Sequence, residues 1–485
     1  MTAAILADFK TNPYLHQLIE FEAHCESVAR AMLWQMRTGK TKVIIDTACH
    51  LFKEDKIDAV LVFAPNGVHE NWVHRELPIH HWDTVERDEF TWQTTRSGDA
   101  DYEAEFRRVL KSDKLAWFSF ANETMTRPDV RRFVSHVSKK RRILGVFDES
   151  HDFRTPGSKR TKMARSVAKR CLYRRTLTGT PFDNSPLHAF SQYELLEPGA
   201  LGFRTYELFK DRYAVYKQGY NRRTKRSYPT LDKYINQDEL ASKIAKWSSA
   251  VLRSDCEDLP DLIPIRREIE LTEEQKRLYE ELHHLFEFEI NNETVTIGEN
   301  TQKLVKLQQV VSGFMMDEFG DVHDIPGGNP RLEALIEEVE LCAGKVVVWC
   351  AFREDMDRVC EALRARKHEV VEYHGRVNAV DKKKAREAFA PGAENDVKAL
   401  VGYPTAGLDL SEAEKIMWYS HTFDAIKRQQ ADERATAMGG QNVPVIDFVA
   451  PGVDAYILSN VKDKVSIADA LSRDGLKEVL KRIRV

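Results

Sequence analysis

Two short groups of residues in this chain have the types and spacing needed to handle a nucleoside triphosphate. Gly39, Lys40 and Thr41 follow an apolar run, Ala31–Trp34, and precede a helix-like stretch, Lys42–Leu51. In such a strand–loop–helix setting, amides at the helix start cradle phosphates. The lysine ammonium reaches the β- and γ-phosphates, and the threonine hydroxyl binds Mg2+. Arg37 and Thr38 belong to the same loop, whose usual first glycine is missing because Trp34 stands five residues before Gly39. The triplet alone does not separate a phosphate loop from an ordinary turn. The second group does more, because the apolar run Ile143–Phe147 ends in Asp148-Glu149-Ser150-His151. An acid at the end of a buried strand holds Mg2+ opposite the phosphate loop. The adjacent Glu149 can then orient and deprotonate an attacking water.

The elements that must position these groups form two series of strand-sized apolar runs separated by helix-like stretches. Ala31–Trp34, Ala59–Ala64, Leu115–Phe120, Ile143–Phe147 and Thr176–Leu177 make the first series. Val346–Phe352, Glu369–Tyr373, Ala399–Val401, Ile416–Tyr419 and Val443–Val449 make the second. Strands alternating with helices predict α/β lobes built on parallel sheets with both faces covered. Residues 1–196 are expected to form the first lobe and 327–485 the second. Between them, 197–326 reads as a helical insert and linker, with Pro326–Pro330 as the hinge into the second lobe.

Bulk properties narrow the class. A chain of 485 residues exceeds what one core supports, and 42% hydrophobic with 31% charged residues suits a globular protein. No apolar run approaches the ~18 residues of a membrane span, and no secretory leader is visible, so a cytoplasmic location is expected (that of the host if the protein is viral). The seven cysteines are scattered without a C-x-x-C pair, which argues against disulfides or zinc. Net charge is −4, so any nucleic-acid partner must be met by local basic patches. Thr155–Thr176 contains no acidic residue and many lysines and arginines, and Tyr216–Tyr228 carries Arg222 and Arg223 among others. Either stretch is also readable as a solvated surface.

The motifs in order carry a family resemblance. Asp148-Glu149-Ser150-His151 resembles motif II of superfamily 2 helicases and translocases. Leu177-Thr178-Gly179-Thr180-Pro181-Phe182-Asp183-Asn184 resembles motif III of the Swi/Snf-type branch. Pro13-Tyr14-Leu15-His16-Gln17 is similar to the Q motif, and Val62-Phe63-Ala64-Pro65 with Asn71-Trp72 to motif Ia. Farther along, Gly407-Leu408-Asp409-Leu410 resembles motif V and Gln430-Ala431-Asp432-Glu433-Arg434 the start of motif VI. Arg353 falls in the motif IV region. The resemblance implies two RecA-like lobes and a nucleic-acid-dependent ATPase with ATP and Mg2+ as cofactors. It implies that Gln17 reads adenine, that Gly407 and Asp409 lie at the nucleotide, and that Gln430 and Arg434 are catalytic. His151, Thr178 and Thr180 would couple the nucleotide to motion, while Asn71, Trp72, Arg353 and Thr405 touch a nucleic-acid backbone.

One departure matters: the family pattern has a second arginine three residues after Arg434, and this chain has Ala437. Arg434 acting alone, substitution by Arg428 or another arginine, and slow hydrolysis are the three ways to read it. The resemblance implies a monomeric translocase on duplex DNA that remodels or branch-migrates it, through backbone contacts with little sequence preference. An RNA helicase and an ATP-gated DNA clamp with little turnover are the alternatives. The compact pattern further suggests, by analogy, a phage-type protein.

Overall fold

The computed structural model describes residues 8–179, 185–221, 226–256, 259–292, 297–404, 408–436 and 440–462. Thr180, Arg222, Arg223, Thr405, Gly407 and Ala437, all singled out above, lie outside the described residues. The chain divides into two compact units, Met1–Glu257 and Asp258–Val485.

In unit 1, strands β1 (Ala29–Trp34), β2 (Ala59–Ala64), β3 (Arg87–Thr91), β4 (Leu115–Ala121), β5 (Ile143–Asp148), β6 (Tyr173–Leu177) and β9 (Ser248–Val251) form one sheet. Its order is β3-β4-β2-β5-β6-β1-β9, and every pairing is parallel. All residues of β2, β4 and β5 are buried, because helices cover both faces of the sheet. One face packs Phe63, Phe118, Phe120 and Phe147 against Phe106, Phe133 and Val167 of the covering helices. Parallel pairing also sends the loops after β1, β2, β4, β5 and β6 to one edge. In register across that edge, Asp148 lies beside Leu177 and Leu177 beside Met32.

Two further strands of the first unit, β7 (Ala214–Asn221) and β8 (Arg226–Tyr234), pair with each other as an antiparallel hairpin. In unit 2, β10 (Leu262–Glu268), β13 (Lys345–Trp349), β14 (Glu369–Tyr373), β15 (Val397–Gly402), β16 (Ala413–Trp418) and β17 (Val443–Val449) form a second parallel sheet, ordered β10-β17-β16-β13-β15-β14. A small hairpin, β11 (Phe314–Met316) with β12 (Val322–Asp324), stands apart from it. Val346, Val348 and Met417 pack on one face of this sheet, and Val347, Trp349 and Trp418 on the other.

The segment 197–326 is not one helical insert. Its β9 completes the edge of the first sheet beside β1, and its β10 runs along β17 of the second. Both are edge strands, so neither needed the continuous apolar run by which inner strands show themselves. Nor does Pro326–Pro330 separate the units. Gly327 and Gly328 have φ of 104° and 90°, and Asn329 caps the helix Pro330–Leu341 by accepting from the Leu332 amide, all within unit 2. Among the described residues, no helix is long and apolar enough to cross a membrane, and every cysteine is a free thiol.

Candidate nucleotide site

The loop after β1 is held from both sides. Trp34, fully buried where a glycine is usual, donates its indole N–H to Ser249 Oγ at 2.9 Å, so packing against β9 occupies that position. Gly39 caps the helix Lys40–Lys53 with φ 83°. Its positive φ requires glycine, and a Cβ there would also displace the Gln17 side-chain amide from the loop. Helix Leu15–His24 braces the loop through the Thr38 carbonyl, which accepts from His16 Nε2 at 2.8 Å and Gln17 Nε2 at 3.2 Å. Gln17 Oε1 in turn accepts from the Tyr14 amide at 3.0 Å. Gln17, expected to read a base, is thus buried and holds the loop. The Lys40 ammonium donates to the Trp34 and Gln35 carbonyls at 2.8 and 3.0 Å. Thr41 sits in the first turn, where backbone donors are free to face an anion. A buried Lys42–Asp46 pair at 2.8 Å, with Trp82 donating to Asp46 at 2.8 Å, fixes the helix beneath.

Asp148 ends β5 at the same edge. Burial, and next the Glu149 carboxylate, push its pKa up to about 6, while the Trp72 indole and the Lys40 ammonium pull the other way. Its Oδ2 accepts from Trp72 Nε1 at 3.0 Å and its Oδ1 from the Glu149 amide at 2.9 Å. Glu149 adopts φ 48°, the sparsely populated left-handed region for a side-chain-bearing residue. Its Oε2 lies 3.2 Å from His151 Nδ1, and the same nitrogen is 3.2 Å from Thr178 Oγ1. Burial lowers the basicity of His151, but the Glu149 carboxylate outweighs this and the net shift is upward. Thr178 is fully buried and its amide donates to Met32 O at 3.1 Å. A Cβ on Gly179 would sit 3.3 Å from the Trp34 carbonyl. The residues after β5 and β6 therefore pack onto the loop after β1.

The buried Asp148 carboxylate, with the half-buried Glu149 next to it and the Lys40 ammonium nearby, suits a divalent cation, since Mg2+ needs only one or two protein carboxylates. The residues present fit the metal that the family pattern implies. Sequence reasoning missed Asn122, which is buried and donates to the Asp148 carbonyl and to Asp152 at 3.1 and 3.0 Å. A polar residue ending the apolar strand β4 is the signal that found Asp148, and it was there to be read. Ser150, donating to Gln192 at 2.7 Å, had no such signal.

In unit 2 the expected residues fall into different settings. Arg434 is buried, and one guanidinium nitrogen donates to the Leu408 carbonyl at 3.1 Å. Asp409 Oδ1 accepts from the Ser411 amide at 3.1 Å. Gln430 is half-buried on the helix Ala425–Glu433. Arg428, the substitute considered for the missing arginine, is engaged on both sides. It donates to Asp432 at 2.9 Å and Asp447 at 2.6 Å and lies 4.1 Å over the Trp418 ring. It serves the interior of unit 2 as a structural cation.

The expected nucleic-acid contacts also divide. Asn71 is half-buried at the strand-end edge of unit 1. Trp72, in a π-helical turn Trp72–Glu76, is 1% exposed and faces Asp148. Its side chain therefore braces the acid and does not line a surface. Arg353 is exposed at the start of the helix Arg353–Ala365, beside a cleft of about 280 Å3 that His374, Gly375 and Tyr403 also line.

The fold and this edge define an α/β unit of the phosphate-loop type. More narrowly, the SNF2-related domain matches residues 15–318, and the chain belongs to that family. Among its relatives are an uncharacterized ATP-dependent helicase of Mycoplasma genitalium and the TATA-binding protein-associated factor MOT1 of Saccharomyces cerevisiae. The first is 23% identical over 329 residues, covering 66% of this chain and 30% of the relative. The second is 23% identical over 381 residues, covering 67% and 20%. The chain thus spans less than a third of the length of either. The Sulfolobus solfataricus SWI2/SNF2 ATPase core in complex with dsDNA aligns with 98% of this chain and 97% of its own, at 20% identity and a TM-score of 0.42. The phage-type origin expected from compactness finds no support in these relatives.

Proposed function

We propose that this chain is a nucleic-acid-dependent ATPase that couples ATP hydrolysis to movement along duplex DNA. The observation that carries the reading is the link from Glu149 through His151 to Thr178 at the edge that also bears Lys40. It ties a base for water to the backbone of the phosphate loop.

The amides that open helix Lys40–Lys53 bind the phosphates, and Lys40 exchanges its loop carbonyls for phosphate oxygens. Thr41 and Asp148 would hold Mg2+, which when bound neutralises charge on the phosphates. Glu149 orients a water and accepts its proton as the water oxygen bonds to the γ-phosphorus and the bond to ADP breaks. Asp148, kept in place by Trp72 and Asn122, holds the negative charge that favours Lys40 and the metal. Arg434 supplies the positive charge that the developing transition state needs. His151 and Thr178 pass the difference between bound ATP and ADP to the segment after β6. Asn71 and Arg353 contribute backbone contacts to the track, which predicts little sequence preference and strong salt sensitivity.

Displacement of a third strand from a triplex tests this reading. The chain should strip it with ATP and fail with Glu149→Gln. ATP-dependent DNA binding without displacement or turnover would point instead to a clamp, and displacement confined to RNA substrates to an RNA helicase.

A further inference from the structure

Glu149, the base in the proposed reaction, sits on strained backbone. Its φ of 48° and ψ of 55° fall in a region that a side-chain-bearing residue occupies only when its surroundings hold it there. Two bonds inside the turn favour this shape. The Glu149 amide donates to Asp148 Oδ1 at 2.9 Å, and the Asp152 amide donates to the Glu149 carbonyl at 2.9 Å. Both are local, and neither ties the turn to another strand.

Asn122 supplies that tie. It directly follows β4, and β2 lies between β4 and β5 in the sheet. Ala121 is level with Ala64 and Phe147 with Phe63, so the residues after β4 and β5 emerge on either side of the end of β2. The buried Asn122 side chain crosses that end, and each hydrogen on its amide nitrogen has an acceptor. One goes to the Asp148 carbonyl at 3.1 Å, just before Glu149, and the other to Asp152 Oδ2 at 3.0 Å, three residues after it. The strained residue is thus gripped from outside on both sides. The opposite orientation of the amide would set its oxygen against two acceptors, so chemistry fixes which way it faces. Asn122 is itself anchored, because it opens a short helical turn, Asn122–Thr124. In that turn Thr124 Oγ1 donates to the Ala121 carbonyl at 2.9 Å, and the Glu123 carboxylate accepts from the Asn66 amide at 3.1 Å.

We infer that Asn122 is a positioning residue of the reaction, holding the left-handed turn after β5 in the shape that aims Glu149 at the attacking water. The inference rests on the proposed role of Glu149 and not on the nucleic acid. Without the Asn122 amide, the backbone at Glu149 is free to relax to a commoner conformation, which redirects the side chain from its Cα outward. A misplacement of about 1 Å can slow a reaction roughly 10²-fold. Both acceptors of Asn122 lie in the turn and neither in the phosphate loop, so the grip on ATP stays.

The test measures basal phosphate release without nucleic acid and the binding of a fluorescent ATP analogue, with a melting curve to check that each variant of the full chain is folded at the assay temperature. Asn122→Ala should lower kcat by about 10²-fold and leave nucleotide affinity little changed. Added to Glu149→Gln, the same substitution should slow the enzyme no further, because the group it positions no longer works. A residue that only supports the fold would cost the same factor in both backgrounds. Asn122→Ser keeps one donor and should fall between the parent and Asn122→Ala; it carries the comparison if the alanine variant does not fold. A parental kcat in Asn122→Ala, a loss matched by weaker nucleotide binding, or a full further loss on Glu149→Gln overturns the inference. Parental turnover by Glu149→Gln itself would remove the base, and the proposed chemistry and this inference would fall together. A slow Glu149→Gln beside a fast Asn122→Ala removes the inference alone. Failure of DNA to stimulate hydrolysis would remove the motor reading and leave the role of Asn122 standing.

Discussion

The indole N–H of Trp72 donates a 3.0 Å hydrogen bond to Oδ2 of Asp148, joining the turn after β2 to the acid that ends β5. Both side chains are buried. A residue in a segment expected to meet nucleic acid therefore acts, in its side chain, on the nucleotide side of the unit.

Trp72→Phe keeps the ring and removes the donor. Partners of metal-binding carboxylates typically matter about 10–100-fold, so Mg2+-dependent phosphate release should fall within that range and the Mg2+ requirement should rise. DNA affinity and its salt slope should hold. A loss of DNA binding with ATP turnover intact would return Trp72 to the track.

Lys40 and Glu149 separate binding from chemistry. Lys40→Ala should weaken binding of a fluorescent ATP analogue, because the ammonium offsets phosphate charge. Glu149→Gln should bind it like the parent and lose roughly 10²–10⁴ in turnover, since an amide accepts no proton from water. Parental hydrolysis by Glu149→Gln would place the base elsewhere.

The two arginines around motif VI should fail differently. Arg428→Ala leaves the largely covered Asp432 and Asp447, each with a side chain 14% exposed, without their cation; a fully buried broken pair costs about 3–5 kcal/mol, so a smaller loss in that direction should show first as a lower melting temperature. Arg434→Ala should unfold near the parent temperature, bind ATP nearly as well and lose about 10³–10⁵ in rate. A harmless Arg434→Ala would mean that the motif VI register is wrong.

What the sequence showed and hid follows from burial. An inner strand such as β2 has both faces covered, so Ala59–Ala64 reads as an unbroken apolar run with the bounds the structure gives. Edge strands carry no such run: β3 is Arg-Asp-Glu-Phe-Thr, and β10 contains Pro264 and is largely exposed. That is why the middle of the chain looked like a separate helical piece. At the site, Lys40, Asp148 and Glu149 were legible because their chemistry depends on local order along the chain. Gln17 against Thr38, Trp72 against Asp148 and Arg428 against Asp447 are contacts made by folding, and spacing alone does not encode them.

Asp355 offers a check on the interior of unit 2. It is fully buried beside Ser312, Ser420, Arg331 and Arg358, and burial above all pushes its pKa up to about 7. The folded state then binds more protons than the unfolded state between about pH 4 and 7, so this group takes stability away as pH rises through that window. Asp355→Asn removes the titration. Its melting temperature relative to the parent should climb from pH 5 to pH 7.5 and level off above. A difference that stays flat with pH would mean Asp355 is ionised throughout.

Dependence of turnover on duplex DNA is read by phosphate release from the parent chain at saturating ATP and Mg2+, with single-stranded, duplex, forked and four-way DNA and with RNA. DNA containing duplex should raise the rate well above the basal one, with RNA and single strands doing less. A basal rate untouched by every nucleic acid, or one raised by RNA alone, would mean that this chain is not a duplex-DNA motor.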